Sequence, residues 1–116
     1  MIRNAEAIAE INRLIETIHR LLDPDNGCPW DLQQTHKSLK RGLLEETYEA
    51  LEAIDSGMPG RMTEEFGDLL IQVVFHSEIG ESRGDFVLAE VARQAKDKLI
   101  RRHPHVFGEN SAASAD

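Results

Sequence analysis

The amino-acid sequence predicts an all-α domain of the four-helix-bundle type that dimerises through its central helices. Three observations predict it. Apolar residues recur at steps of three and four in four separate segments. No segment alternates with period two among β-branched residues, so no sheet is expected. A chain of 116 residues has the length of one domain, and a core of that size is modest enough that subunit association commonly adds to it.

The first helix is expected from about Asn4 to Leu22. Ile8, Ile11, Ile15, Ile18 and Leu22 make one apolar stripe, and Pro24 stops it. The following DPDNGCPWD, with two prolines, a glycine and an Asn-Gly pair, is a loop. The second helix starts near Thr35, a suitable N-cap, and runs to about Asp55. Its positions Leu43, Leu44, Thr47, Ala50, Leu51 and Ile54 span an arc of roughly 120°. The turn SGMPG follows. The third helix, from about Thr63 to Glu81, is apolar almost all round, with Phe66, Leu69, Leu70, Ile71, Val73, Val74, Phe75 and Ile79. A helix of that kind belongs in the middle of a bundle or across a subunit interface. Arg83-Gly84 ends it. The fourth runs from about Asp85 to Arg101, with Leu88, Val91, Ala92, Ala95 and Leu99 as the expected buried stripe. Residues 1–108 are expected to form the domain and 109–116 a flexible tail.

Composition excludes several function classes. No apolar run approaches the roughly 20 residues of a membrane-spanning helix, and the first ten residues contain no signal-peptide core. Cys28 stands alone, which rules out an internal disulfide and suits a reducing, cytoplasmic setting. The net charge is −8, and residues 45–90 hold twelve acids against Arg61 and Arg83. Such an acidic centre repels nucleic-acid backbones. The sign reverses over residues 91–105, where Arg93, Lys96, Lys98, Arg101 and Arg102 face only Asp97. Acid clusters beside a basic strip suit a cation held together with a phosphorylated small molecule.

The acids have a pattern. Glu46 and Glu49 lie three apart on the second helix, Glu65 and Asp68 three apart on the third, so each pair shares a face. Gln72 and His76 continue the line of Glu65 and Asp68 at steps of four, a polar stripe on an otherwise apolar helix. One such pair is ordinarily a solvated face. Two pairs on consecutive helices, in a bundle, bring four carboxylates together. Hard divalent cations take oxygen ligands, and Mg²⁺ binds through carboxylates and substrate phosphates. Other metal arrangements fit worse: the chain has one Glu-x-x-His, Glu16-x-x-His19, where a di-iron bundle needs two. It has no zinc pattern and no phosphate-binding glycine loop of the G-x-x-x-x-G-K type. Glu52 and Glu64 read as surface acids, and Cys28 as a loop or packing residue. His36, His76, His103 and His105 read as hydrogen-bonding structural residues.

Glu45-Glu46-x-x-Glu49, fifteen residues, then Glu65-x-x-Asp68, resembles the EExxE…ExxD signature of the MazG-like nucleotide pyrophosphohydrolases, an all-α superfamily. The flanks are similar too: Gly27-Cys28-Pro29-Trp30-Asp31, Gln34-Thr35-His36, Gly67-Asp68-Leu69-Leu70, Val73-Val74-Phe75-His76, and Lys98 through Arg101-Arg102-His103-Pro104-His105-Val106-Phe107-Gly108. The likeness covers about residues 5–108. Lys40-Arg41-Gly42 departs from the pattern, and the sequence holds one such module where many members carry two.

The resemblance implies hydrolysis of a nucleoside triphosphate to the monophosphate and pyrophosphate with Mg²⁺, Mn²⁺ substituting. It puts Glu46, Glu49, Glu65 and Asp68 at the metal-ligand positions. Glu45 falls at the signature's first acid, to ligate or to orient water. It also implies a homodimer or a tetramer of paired dimers. Lys98, Arg101 and Arg102 are candidates for the substrate phosphates, or they complement the C-terminus of a helix. Trp30 is a candidate for stacking a base, or a packing anchor. Two rival functions stay open: a same-fold pyrophosphohydrolase of another nucleotide, of dUTP or phosphoribosyl-ATP type, and a non-catalytic helical module that binds a nucleotide or a partner.

Overall fold

The computed structural model describes residues 4–108; the tail expected at 109–116 lies outside the described residues. The described residues form six helices and no strand: α1 (Ala5–Leu21), α2 (Pro29–Leu32), α3 (Lys40–Ser56), α4 (Pro59–Ser82), α5 (Leu88–Arg102) and α6 (Pro104–Phe107). The four long ones are the four expected from periodicity. The two short ones each begin with a proline at the first helical position, where its missing N–H costs nothing.

The boundaries have local causes. After α1 the chain folds back on the helix end: the Cys28 N–H donates to the Leu21 carbonyl and the Gly27 N–H to that of Asp23, both at 2.8 Å. A Cβ on Gly27 would lie 2.4 Å from the Leu21 oxygen, so only glycine fits there. Regular helix in α3 begins at Lys40, later than expected, because Thr35 caps a separate turn. Its N–H donates to Ser38 Oγ at 2.8 Å, and the Ser38 N–H donates back to Thr35 Oγ1 at 3.0 Å. This reciprocal cap holds residues 36–39 as a turn that leads into the helix. Gly57, at φ +67°, ends α3 in the left-handed region. α4 starts at Pro59, four residues before the expected Thr63. That threonine lies one turn into the helix and donates its hydroxyl to the Pro59 carbonyl at 2.9 Å.

The chain divides into two compact units, one ending at Ile79 and one beginning at Gly80. The core of the first is small: Ile18 of α1, Ala50 and Ala53 of α3, and Val74, Phe75 and Ile79 of α4. Ala53 is fully buried, so its neighbours approach to within a methyl group. α1 and α4 are also tied by His19 Nδ1 and Glu78 Oε2, 3.3 Å apart. Only the C-terminal end of the α1 stripe is buried; Ile8 and Ile11 stay exposed. In the second unit Phe86 lies against Gly80, where a Cβ would come within 2.6 Å of the ring. The residues between form the turn that delays α5 to Leu88. The expected buried stripe of α5 is a correction: no residue of that helix is buried, and Val91 and Leu99 are exposed. No described helix is long and apolar enough to cross a membrane.

Candidate metal centre

α3 carries Glu46 and Glu49 one turn apart, and α4 carries Glu65 and Asp68 in the same way. The structure brings all four together: one carboxylate oxygen from each lies within 4.8 Å of the others. The contacts come in layers. Glu49 meets Glu65 and Glu46 meets Asp68, each pair carboxyl to carboxyl. One turn before Glu46 on α3 is Gly42. One turn after Asp68 on α4 is Gln72, whose Nε2 would lie 3.5 Å from a Cβ on Gly42. A further turn along, His76 of α4 meets His36 from the capped turn, with their Nδ1 atoms 2.9 Å apart and rings stacked 7° from parallel. Numbers rise along one helix as they fall along the other, so α3 and α4 run antiparallel with one continuous polar seam between them.

The seam is short of partners. Glu46 Oε2, Glu65 Oε2, Gln72 Oε1 and His76 Nε2 are buried and have no hydrogen-bond partner among the described residues. Burial first, then the charges of Asp68 and Glu49, push the Glu46 carboxyl above its ordinary 4.5. Burial, the contact with Glu49 and the charges of Glu49 and Asp68 push Glu65 the same way. His76 is lowered from its ordinary 6.5 by burial and by His36. None of the ion pairs found among the described residues involves Glu46, Glu49, Glu65 or Asp68. A set of converging oxygens, two of them buried without a donor, fits a hard divalent cation of the Mg²⁺, Mn²⁺ or Ca²⁺ class.

The other candidate residues lie elsewhere on these elements. Glu45 is exposed and accepts from Arg41 Nε at 3.3 Å, outside the cluster, although its charge still reaches Glu46. Trp30 is 75% exposed on α2. Lys98, Arg101 and Arg102 are exposed on the last turns of α5, in the second unit. Glu52 and Glu64, read as surface acids, are exposed. His36 and His76, expected to be structural hydrogen-bonding residues, hydrogen-bond to each other across forty residues of sequence, a pairing that local spacing does not announce. The layer of Gly42 and Gln72 lies outside the sequence expectations too. Its signal is helical register: four residues back from Glu46, opposite four residues on from Asp68.

Residues 34–107 match the MazG nucleotide pyrophosphohydrolase domain family. The chain is 49% identical over 109 residues to a protein of Thermotoga maritima named nucleoside triphosphate pyrophosphohydrolase/pyrophosphatase MazG, covering 94% of this chain and 42% of that one. It is 44% identical to a nucleoside triphosphate pyrophosphohydrolase of Escherichia coli K12, covering 91% of this chain and 40% of that one. It is 42% identical to one of Mycobacterium tuberculosis, covering 90% of this chain and 33% of that one. The chain thus spans well under half the length of these relatives.

Proposed function

Because the chain belongs to the MazG nucleotide pyrophosphohydrolase domain family, we propose that it hydrolyses nucleoside triphosphates to the monophosphate and pyrophosphate with Mg²⁺, Mn²⁺ substituting. The observation that carries this reading is the convergence of four carboxylates, two with buried oxygens that nothing among the described residues satisfies. Glu46, Glu49, Glu65 and Asp68 would hold the cation. When bound, such an ion polarises phosphate oxygens and makes a coordinated water acidic enough to attack. The reaction breaks the bond between the α-phosphorus and its bridging oxygen, a water oxygen replaces that oxygen, and pyrophosphate leaves.

The residues of the chain set the conditions. Burial of one oxygen each of Glu46 and Glu65 keeps water from those two atoms, and mutual repulsion keeps the four acids ready for positive charge. Glu45, exposed beside the cluster on α3, is assigned to ligation or to orienting water. Lys98, Arg101 and Arg102 are assigned to the substrate phosphates on the strength of their charge, and Trp30 to stacking on the base through its exposed ring.

The assembly we propose is a homodimer, or a tetramer of such dimers, in the cytoplasm and without nucleic-acid partners. Leu44, Tyr48 and Leu51 make an exposed apolar stripe on α3, and Phe66, Leu70 and Val73 another on α4. Stripes of this extent on a chain alone suit burial in an interface.

The deciding experiment incubates the protein with Mg²⁺ and a panel of ribo- and deoxyribonucleoside triphosphates, with dUTP and phosphoribosyl-ATP included. Monophosphate and pyrophosphate should appear in equal amounts. Release of orthophosphate with a diphosphate would overturn the reading. Turnover of phosphoribosyl-ATP alone would replace the substrate class, and nucleotide binding without turnover would make the protein a binding module.

A further inference from the structure

α4 ends and α5 begins in one closed joint, all of it within the second unit. Residues 83–87 are the whole connection. The Gly84 N–H donates to the Glu81 carbonyl at 3.0 Å, and the Asp85 N–H reaches back to the Gly80 carbonyl at 2.8 Å. Gly84, at φ +74°, makes the left-handed turn between those two bonds. Together they are the two-bond glycine cap of a helix C-terminus. Arg83 and Asp85 add an ion pair at 3.6 Å across the turn.

Such caps commonly carry an apolar contact back onto the helix, and here that contact is very close. The ring of Phe86 lies against Gly80, a buried glycine near the end of α4. A Cβ on Gly80 would stand 2.6 Å from the ring's Cζ, with two more ring atoms at 2.7 and 2.8 Å. Non-bonded carbons settle near 3.5–4.0 Å, so not even a methyl group fits while the ring stays. The φ of Gly80 is not positive. The backbone therefore does not call for glycine at this position; the Phe86 ring does.

Little else directs α5. Beyond its first turn every residue of that helix is exposed, so packing among the described residues does not aim it. Its last turns carry Lys98, Arg101 and Arg102. α4, which carries Glu65 and Asp68, is one helix from Pro59 to Ser82 and runs directly into the joint. We infer that Gly80 and Phe86 are positioning residues for the substrate phosphates. The seated ring gives α5 one direction on leaving α4, and so gives the three cations one place. On a slack linker they would range over a volume, and ordering them would be a cost of binding the triphosphate; a closed joint removes that cost beforehand. The inference rests on the pyrophosphohydrolase reading for the role of the cations, and not for the joint itself.

The test uses the whole chain. Spin labels attached through Arg61→Cys in α4 and Gln94→Cys in α5, both exposed positions, with Cys28→Ser and diluted by unlabelled chain, report the direction of α5 as a distribution of distances. With the native joint the distribution should be narrow. Phe86→Ala, which deletes the ring and leaves the backbone cap, should broaden it, and Gly80→Ala, whose methyl group displaces the ring, should shift or broaden it. A broad native distribution, or one unaltered in both variants, would overturn the joint. In unlabelled protein each variant should raise KM for the triphosphate roughly tenfold and leave kcat within about twofold. Arg102→Ala should cost less in the Phe86→Ala background than alone, because a displaced cation has less to lose. An unchanged KM in both variants, or an equal cost of Arg102→Ala in both backgrounds, would overturn the positioning role. If Gly80→Ala does not fold, Phe86→Ala decides. Failure of pyrophosphate release with the distances responding as expected would sink the reaction and not the joint. Turnover with a KM indifferent to both variants would sink the positioning role and not the reaction.

Discussion

The Nδ1 atoms of His36 and His76 lie 2.9 Å apart, which ties the turn ahead of α3 to the middle of α4. That contact requires a hydrogen on one nitrogen and a lone pair on the other, so two protonated rings cannot keep it.

The pair should make stability fall in acid. Burial and the nearby His36 hold His76 below its ordinary 6.5. A group lowered in this way favours the neutral form in the folded state. Its contribution is present above pH 6.5 and is lost as pH falls through the lower, folded value. The melting-temperature advantage of the wild type over His36→Phe/His76→Phe should therefore shrink between pH 7.5 and 5. An advantage that grows in that window would contradict the pairing.

The acids should respond in the opposite direction. Glu46 and Glu65 are raised above 4.5, so in chelator their contribution is present below 4.5 and lost as pH rises through the folded values. Glu49→Gln/Asp68→Asn should flatten this dependence and melt above the wild type in chelator at neutral pH. Thermal unfolding across pH, with chelator throughout, measures it; a double variant that melts lower would mean the four acids do not repel.

Adding Mg²⁺ or Mn²⁺ should raise the melting temperature of the wild type. At a hundredfold excess over the dissociation constant the gain is about 2.7 kcal/mol if only the folded state binds. The same double variant should show no such rise. A rise equal to that of the wild type would place the ion elsewhere.

Turnover should depend on the cluster and not on acidity nearby. Glu46→Gln, Glu49→Gln, Glu65→Gln and Asp68→Asn each remove a ligand charge with little change of volume. Each should lose more than the roughly 10–100-fold that loss of an outer-shell partner costs. Glu52→Gln and Glu64→Gln, on exposed positions, should stay near the wild-type rate. Steady-state pyrophosphate release compares all six, and two cluster variants at wild-type rates would refute the four-ligand set.

In light scattering at micromolar concentration the protein should have at least twice the mass of one chain. Phe66→Glu/Leu70→Glu, which charges the exposed stripe of α4, should shift it toward the single chain. A folded wild-type monomer would rule out the dimer.

Sequence periodicity locates the four long helices because each depends on local spacing, and Glu46, Glu49, Glu65 and Asp68 are legible because three-residue spacing sets a common face. The errors have tertiary causes. Thr35 is a cap, as its chemistry suggests, but Ser38 closes the turn on itself before the helix becomes regular. Pro59 extends α4 backward because its fixed φ suits a first turn. Val91 and Leu99 were expected inside because apolar spacing marks a face without saying what covers it. The His36–His76 contact joins residues forty apart, and nothing local announces it.

Ala50 and Ala53 are among the most deeply buried residues of α3, and they flank the turn that follows Glu49. Ala53 is fully buried one turn beyond Glu49, so α3 packs there with the closeness that a methyl group allows. Mg²⁺ wants oxygens at 2.0–2.1 Å and Ca²⁺ at 2.3–2.6 Å. A bulkier residue at Ala53 would wedge the seam open and turn the cluster toward the larger ion. The preference for one ionic radius would then be adjustable from the hydrophobic side of the helix, with every ligand left in place.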